Sequence, residues 1–567
     1  MTRVCRVAPD VTAVERVFDY TVPEHLAAIV RVGSIVRVPL HGRRVRGWVV
    51  ADHVASDVEG LLPILAVASD GPSPDVVALT EWVARRWCGP RVAVLRSASP
   101  PNRVAPGAGA RAGPAGPGFT ATVVRHPPLR DRRTLVEGML APTGSTIVVV
   151  ADGGRAGSLA RTLRTAGHNV ALVHSDESDA QRTDAWRRAA LGGCVVVGGR
   201  IAVFAPVPDL AAAIVVDDAD EALQEERVPT WHARDVLFER AQRAQASFAV
   251  LSPAPTVEAA ALADGAVDAL PHDVEVSGWP RARVVDRREE PPGARLLTEP
   301  LAAALRDARG LAVCVVNRRG RFRLLACDAC HALLRWDRTD ERPRICDQCG
   351  GQRLRVLRAG ITRIREELEA LIPGRRVIDV DTDTGDLAPA DILIGTEAVL
   401  HRSDVRRARP VLVAFLDLDQ ELFAPRYRAA TQAHWLVTRG AQLLSGRPRA
   451  ETQLLVQTRV PDHEVARAVA TGNPQLVAAA ETERRRVLGY PPFGAIAELT
   501  GPDAALTVAA DALRSLSVTV HGPTGGRALV RAPDWESLAD PLAAAVRAAR
   551  ASAPGTRVRV AVDPPRI

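Results

Sequence analysis

The chain has 567 residues, 47% hydrophobic and 25% charged, with a formal net charge of +7 and a pI near 9.3. Roughly 150 residues per domain predicts three or four domains. No apolar run reaches the roughly 18 residues of a membrane span, and charges interrupt every short apolar run of MTRVCRVAPDVTAVER, unlike a secretory leader. The expectation is a soluble cytoplasmic protein, and the basic balance points to a polyanionic partner.

Residues 1–100 read as short strands plus one helix. RVGSIVRVPL and RVRGWVVADHV are strand-like, and DVVALTEWVARRWCG repeats apolar residues at helical spacing, with Trp82 and Trp87 read as core. Residues 1–50 carry eight arginines against four acidic residues, so this end is more basic than the whole. Residues 101–118, PNRVAPGAGARAGPAGPG, form a Pro/Gly/Ala linker. From 119 to 295 strands alternate with helices: TIVVVAD, NVALVHS, GGCVVVGGR, AAIVVDD and SFAVLSP are short apolar strands, which predicts a parallel α/β sheet. A second such region begins at 296–326 and resumes at 351–460, with LAVCVVN, RVIDVD, ADILIGT and PVLVAFLD as strands. Between them ITRIREELEALIPG reads as a helix with Ile361, Ile364, Leu368 and Leu371 on one face. Residues 461–567 alternate helices and strands again.

The run AAAIVVDDADEA ends an apolar strand in Asp217 and Asp218. Carboxylates at the C-terminal end of a buried parallel strand are where a magnesium ion and phosphates usually sit.

Four of the eight cysteines are scattered. The other four form two CxxC pairs, Cys327/Cys330 and Cys346/Cys349, fifteen residues apart. Two such knuckles suit one tetrahedral, all-sulfur, structural zinc site. Residues 317–365 hold thirteen arginines and five acidic residues, with Phe322 and Trp336 interleaved, which suits a nucleic-acid or partner surface.

These stretches together resemble the PriA replication-restart family. VFDYTVPEHL and VGSIVRVPLHGRRVRGWVV resemble its N-terminal DNA-binding domain. HSDESDAQRTDAW, GGRIAVFAP, IVVDDADEA and WHARDV follow its first motor lobe in order. NRRG, the CxxC pairs, ILIGTEAVL, LDLDQELFAPRYRA, GYPPFG and the final VAVDP follow its second lobe and C-terminal domain. The resemblance implies an α/β multidomain fold: a small β-rich N-terminal domain (1–100), two RecA-like helicase lobes, a zinc ribbon (327–350) inserted in the second lobe, and an α/β C-terminal domain. It implies a pocket for the 3′ end of a nascent strand at Phe18, Asp19 and Tyr20, in which a carboxylate accepts from a terminal hydroxyl and a ring stacks on a base. Arg37, Arg43, Arg44 and Arg46 are candidate phosphate ligands. Forked and single-stranded DNA, single-strand DNA-binding protein and the replicative helicase or its loader are the implied partners. No membrane partner is expected.

The chain departs from the family where ATP should bind. A phosphate loop needs glycine N–H groups and a lysine. The corresponding VVRHPPLRDR, residues 123–132, has no glycine and two prolines, and the whole chain has no lysine, all 73 basic residues being arginine. The family's Asp-Glu-Glu-His reads Asp217-Asp218-Ala219-Asp220, its Ser-Ala-Thr-Pro reads Ser252-Pro253-Ala254-Pro255, and its late arginine motif reads TRGAQLLSGRPRA without the pattern. Asp217 and Asp218 are thus expected to be relics of an ATP site in degenerate lobes, with no ATP bound. The family's second zinc site and its winged-helix domain are also missing, so one zinc is expected. Three readings compete: a fork-binding restart scaffold that does not hydrolyse ATP, an active ATP-dependent 3′ to 5′ helicase with an unorthodox site, and a zinc-ribbon protein–protein adaptor.

Overall fold

Two hydrophobic stretches around His41-Gly42 form a tight hairpin. Both turn residues have positive φ, 49° and 73°, the backbone a two-residue turn between twisted strands requires. The structure, a computed structural model, describes residues 3–11, 16–107, 116–290, 296–316, 322–380 apart from 328, 331, 338–342, 344 and 358–360, and 384–566 apart from 515, 517, 553, 554, 556 and 565. Among these residues the strands form five sheets. The first is antiparallel, in the order Phe18–Thr21, Val4–Pro9, Arg43–Asp52, Ile35–Leu40, Ala66–Ser69. The helix Pro74–Arg86 follows, with Val76, Leu79 and Val83 buried.

The first lobe is a parallel sheet whose central strands, Ser145–Val150 and Leu210–Val216, are buried along their whole length. Helices cover both faces, so the strands are continuous apolar runs rather than alternating ones. The second lobe is a parallel sheet in the order Arg281–Asp286, Gln453–Thr458, Leu412–Phe415, Ala312–Val315, Ile392–Gly395, Val377–Val380. Two RecA-like lobes follow from these orders and connections. Inside the second lobe, after the strand Ala312–Val315 and before Val377–Val380, the chain inserts a small antiparallel sheet, Leu333–Asp337, Phe322–Cys327 and Leu354–Leu357, which carries the cysteine pairs. The last domain is an antiparallel sheet, Thr519–Thr524, Arg527–Ala532, Ala495–Thr500 and Arg559–Val562, under the helices Asp503–Arg514 and Trp535–Ser552. No helix among the described residues is long and apolar enough to cross a membrane.

Several boundaries differ from the sequence reading. The strand Arg281–Asp286 pairs in the second sheet, so the chain changes lobe before 281 and not at 296. Its three charged residues in six hide an edge strand from an apolar-run search. The helix Glu464–Thr471 belongs to the second lobe, since Val465, Ala468 and Val469 pack in that lobe's core with Trp279. The predicted 101–118 linker has anchored ends: Val104 is fully buried against Trp186 and Ala190, and Gly116 and Gly118 donate to Ala244 and Gln245 carbonyls. Its middle lies outside the described residues. In the helix Ile361–Leu371, Ile364 and Leu368 are buried as expected, but Leu371 is exposed and Ile372 takes its place in the core.

The ends of the chain meet. Trp82 packs edge-to-face on Trp535 at 6.1 Å. Arg85 forms a two-pronged pair with Asp540, and Arg86 bonds Asp563 at 2.6 Å while lying over the Trp535 ring. The first domain, the first lobe and the last domain therefore share one continuous hydrophobic core.

Candidate functional site

The strand Leu210–Val216 delivers Asp217 and Asp218 to the cleft between the lobes, both nearly fully buried. Asp217 lies at φ 60°, a left-handed conformation that aspartate tolerates better than most residues. Its carboxylate is surrounded by donors. Arg132 Nη1 donates to Oδ2 at 2.6 Å, Arg155 Nη1 donates to the same oxygen at 3.2 Å, and Gln442 Nε2 reaches both oxygens at 3.2 and 3.3 Å. Arg132 ends the HPPLRDR loop, where a phosphate loop would lie. Gln442 comes from the facing lobe, on the helix Ala429–Leu443. Burial, with Arg439 and Arg132 nearby, pushes the Arg155 guanidinium down from its ordinary value.

Asp152 caps the helix Gly153–Thr165, accepting from Arg155 N at 2.8 Å. It also takes a short contact from Arg439 and lies 3.6 Å from Arg406, both of the second lobe. Burial disfavours its charge, but Arg439, Arg155 and Arg406 outweigh that and bring its pKa down to about 2. Asp218 faces Arg234 at 3.4 Å and takes a short contact from Thr256 Oγ1. Burial raises its pKa to about 6. The cleft is thus bridged from lobe to lobe by arginine and glutamine. Sequence reading missed Arg132, Arg155, Arg439 and Gln442 as a group. The TRGAQLL segment, read as having lost its pattern, supplies Arg439 and Gln442 to this cleft. A signal was present in Arg132, since an arginine in a glycine-free loop opposite an acidic strand end has an obvious partner.

In the first domain Asp19 accepts a two-pronged pair from Arg6, at 2.8 and 3.2 Å. The Arg6 guanidinium holds its carboxyl below the usual carboxylate range. Phe18 and Tyr20 do not share its side of the strand. Side chains alternate along a strand, so Phe18 and Tyr20 face the domain core while Asp19 faces away. Tyr20 is 4% exposed and donates its hydroxyl to the Pro39 carbonyl at 3.0 Å. That ring cannot stack on a base without leaving the core, and its place is structural. Phe18 is half-buried. Arg37, Arg43 and Arg44 are exposed around the hairpin. Arg46 is partly covered, lying over the Trp48 ring at 5.2 Å.

The four cysteines Cys327, Cys330, Cys346 and Cys349 converge, with every sulfur within 4.8 Å of the others. Cys327 and Cys349 sulfurs are 3.5 Å apart, Cys330 and Cys346 3.7 Å. A tetrahedron of metal–sulfur bonds of about 2.3 Å has edges of about 3.8 Å, so the cluster is already at the size of a closed metal site. Each knuckle is folded by its own backbone: Cys327 N–H donates to the Ala332 carbonyl, Cys346 N–H to that of Gly351. The side chains of Phe322 and Trp336 lie outside the described residues, as does His331.

The comparisons with known proteins bear on each part. The profile of the PriA 3′ DNA-binding domain (3′BD) matches residues 6–100, the segment that carries Phe18, Asp19 and the arginine hairpin. The probable replication restart protein PriA of Mycobacterium tuberculosis (strain H37Rv) is 30% identical over 578 residues, covering 88% of this chain and 87% of that protein. The chain belongs to the PriA family. The replication restart protein PriA of Bacillus subtilis (strain 168) is 27% identical over 377 residues, and that of Treponema pallidum (strain Nichols) 31% over 367. Against these two the PriA-family chain spans about half their length, 46% and 55%. Among solved structures a DEAD box protein from the hyperthermophile Methanococcus jannaschii aligns with a TM-score of 0.31 at 12% identity, over 62% of this chain and 86% of that one.

Proposed function

We propose that this chain is a fork-binding scaffold of replication restart that works without hydrolysing ATP. It binds forked and single-stranded DNA through its first domain. It promotes primosome assembly by engaging single-strand DNA-binding protein and the replicative helicase or its loader in the bacterial cytoplasm, at the nucleoid. One zinc ion held by Cys327, Cys330, Cys346 and Cys349 fixes its ribbon.

The observation that carries the reading is the state of Asp217. A carboxylate that positions a magnesium ion must be free to turn toward it, and a triphosphate needs N–H donors opposite. Here both oxygens already accept from Gln442, and one also takes Arg132 and Arg155. Arg132 and Arg155, which line a cavity of about 390 Å³ at this end of the strand, are already engaged with Asp217. Arginine in place of lysine also presents a wide planar fork rather than a compact charge. The test is ATP hydrolysis with an excess of forked DNA carrying a 3′ end at the junction. No turnover above a buffer blank is expected. DNA-stimulated turnover that disappears in Asp217→Asn would overturn the reading.

The 3′-end function rests on Asp19. Its carboxylate keeps acceptor capacity beyond the two Arg6 bonds, enough for a terminal hydroxyl. Asp19→Asn is expected to lower the preference for a 3′-hydroxyl over a 3′-phosphate junction by about 10- to 100-fold, the worth of a hydrogen bond to a charged group. Anisotropy titration of both forks measures it, and an unchanged preference would move the end-binding role elsewhere.

A further inference from the structure

The helix Ala429–Leu443 belongs to the second lobe, yet it is buried along almost its whole length. A helix on the surface of a lobe shows a polar face to water. Here the polar residues Gln432, Arg439 and Gln442 are buried with the apolar ones. Arg439 and Gln442 lie roughly three and four turns beyond Arg428, at the N-terminal cap, so the three share one stripe. That stripe faces the first lobe. At one end Arg428 pairs with Glu258 at 2.8 Å and donates to Gln224 Oε1 at 3.3 Å. At the other end Gln442 reaches Asp217 and Arg155, and Arg439 meets Asp152. At about 1.5 Å per residue the two fastenings are about 20 Å apart.

Two-lobed folds that take a ligand between their lobes open and close about a hinge. One fastening can serve as a pivot, whereas two cannot. Any rotation that parts the lobes about one end of this helix must break the pairs at the other. Each anchoring carboxylate also meets a second cation from across the cleft. Arg406 lies 3.6 Å from Asp152, and Arg485 lies 2.8 Å from Glu258.

A buried pair is not stabilising by default, because both ions lose water. The two carboxylates show which effect wins. Burial works against the charge of Asp152, but Arg439, Arg155 and Arg406 outweigh it and bring its pKa down to about 2. Burial opposes the Glu258 charge too, and Arg485, Arg428 and Arg234 outweigh it in the same way. A carboxyl group whose pKa falls below its value in water holds its charge more favourably in the closed cleft than in an open, hydrated one.

We propose that Asp152 and Glu258 are the two catches of a built-in latch, closed by Arg439, Arg406, Arg428 and Arg485, which holds the lobes in one arrangement whether or not nucleotide or DNA is bound. The inference rests on the scaffold reading and deepens it: the lobes present one fixed composite surface instead of a cycle of surfaces.

The test uses the full chain with a donor and an acceptor dye on azidophenylalanine replacing Arg161 and Arg467, exposed positions of the first and second lobes. Single-molecule energy transfer should give one population. ADP, a non-hydrolysable ATP analogue and forked DNA should each leave it in place. Asp152→Asn removes the charge but keeps a good helix cap, so the first lobe stays folded. In Asp152→Asn/Glu258→Gln a second, lower-transfer population is expected to rise about 10-fold above its wild-type level, the worth of one hydrogen bond to a charged group. Arg439→Gln/Arg428→Gln should do the same from the other side of the cleft. Asp152→Asn alone should move in the same direction and guards against misfolding of the double variants. One unchanged population in every folded variant overturns the latch, and so does a wild-type population that shifts with nucleotide. Fork-stimulated ATP turnover with an unmoved population overturns the scaffold reading and leaves the latch standing. A shift without turnover overturns the latch alone.

Discussion

Replacing Cys346 by serine is expected to take bound metal from one ion per chain to none, read by elemental analysis of the dialysed protein. Among the described residues the ribbon's apolar cluster is Cys327, Leu334, Cys346 and Leu354, with Ala332 against it, and its three strands are four to six residues long. Two of the cluster's members are themselves among the four converging cysteines. For structural zinc in small modules the binding free energy is about 10–16 kcal/mol at neutral pH and amounts to the folding free energy. Loss of one thiolate should therefore unfold the ribbon locally, making residues 327–350 the first site of limited proteolysis. The lobes should stay folded, because their cores are separate from it. Retained stoichiometric metal in Cys346→Ser would show that the ion sits elsewhere.

The second large effect is expected at Arg485. Its side chain is fully buried, held at 2.8 Å by Glu258 and 3.0 Å by Glu481, and donates to Thr431 Oγ1 at 2.8 Å. Glu258 belongs to the first lobe, on Val257–Leu262, whereas Arg485 and Glu481 lie on Gln475–Leu488. Burial disfavours the Glu258 charge, but Arg485, Arg428 and Arg234 outweigh it and hold the carboxyl well below its ordinary range. Arg485→Ala leaves buried carboxylates short of a cation. Breaking such a pair from one side costs about 3–5 kcal/mol, while replacing both partners by apolar groups is often close to neutral. The denaturation midpoint should fall accordingly, and Arg485→Met/Glu481→Met should recover part of the loss. A shift within about 0.5 kcal/mol, the range of an ordinary surface substitution, would mean that the joint between the lobes is held by other contacts.

The fold was readable wherever strands are buried on both faces. TIVVVAD, AAIVVDD, ADILIGT and PVLVAFLD became central strands because a parallel sheet turns burial into an unbroken apolar run. Edge positions were not readable. Arg281–Asp286 hides in RARVVD, and Ile372 replaces Leu371 because the helix turns slightly past the expected face. The convergence of the four cysteines was legible, since CxxC spacing encodes the knuckle geometry directly. The FDY stretch was legible only in part. FDY names three residues in sequence, but the two-residue period of a strand sends the two rings inward and leaves Asp19 with Arg6. The cleft was the least legible. The missing glycine and lysine are plain in the sequence, but the side chains that meet Asp217 include Arg132 and Gln442, 85 and 225 positions away along the chain.

The clamp between Pro74–Arg86 and Trp535–Ser552 also sets a timetable for synthesis. Arg85 and Asp540 are 455 positions apart. At about 5–20 residues per second on the ribosome, the partner of this helix emerges roughly 20–90 s after the helix itself. Throughout that interval Trp82 and Arg86 have the neighbouring Trp87 ring but lack Trp535 and Asp563, and Arg85 lacks Asp540. The last domain is thus the closing step of assembly, and a ribosome that stalls before Trp535 releases a chain with an uncovered aromatic face.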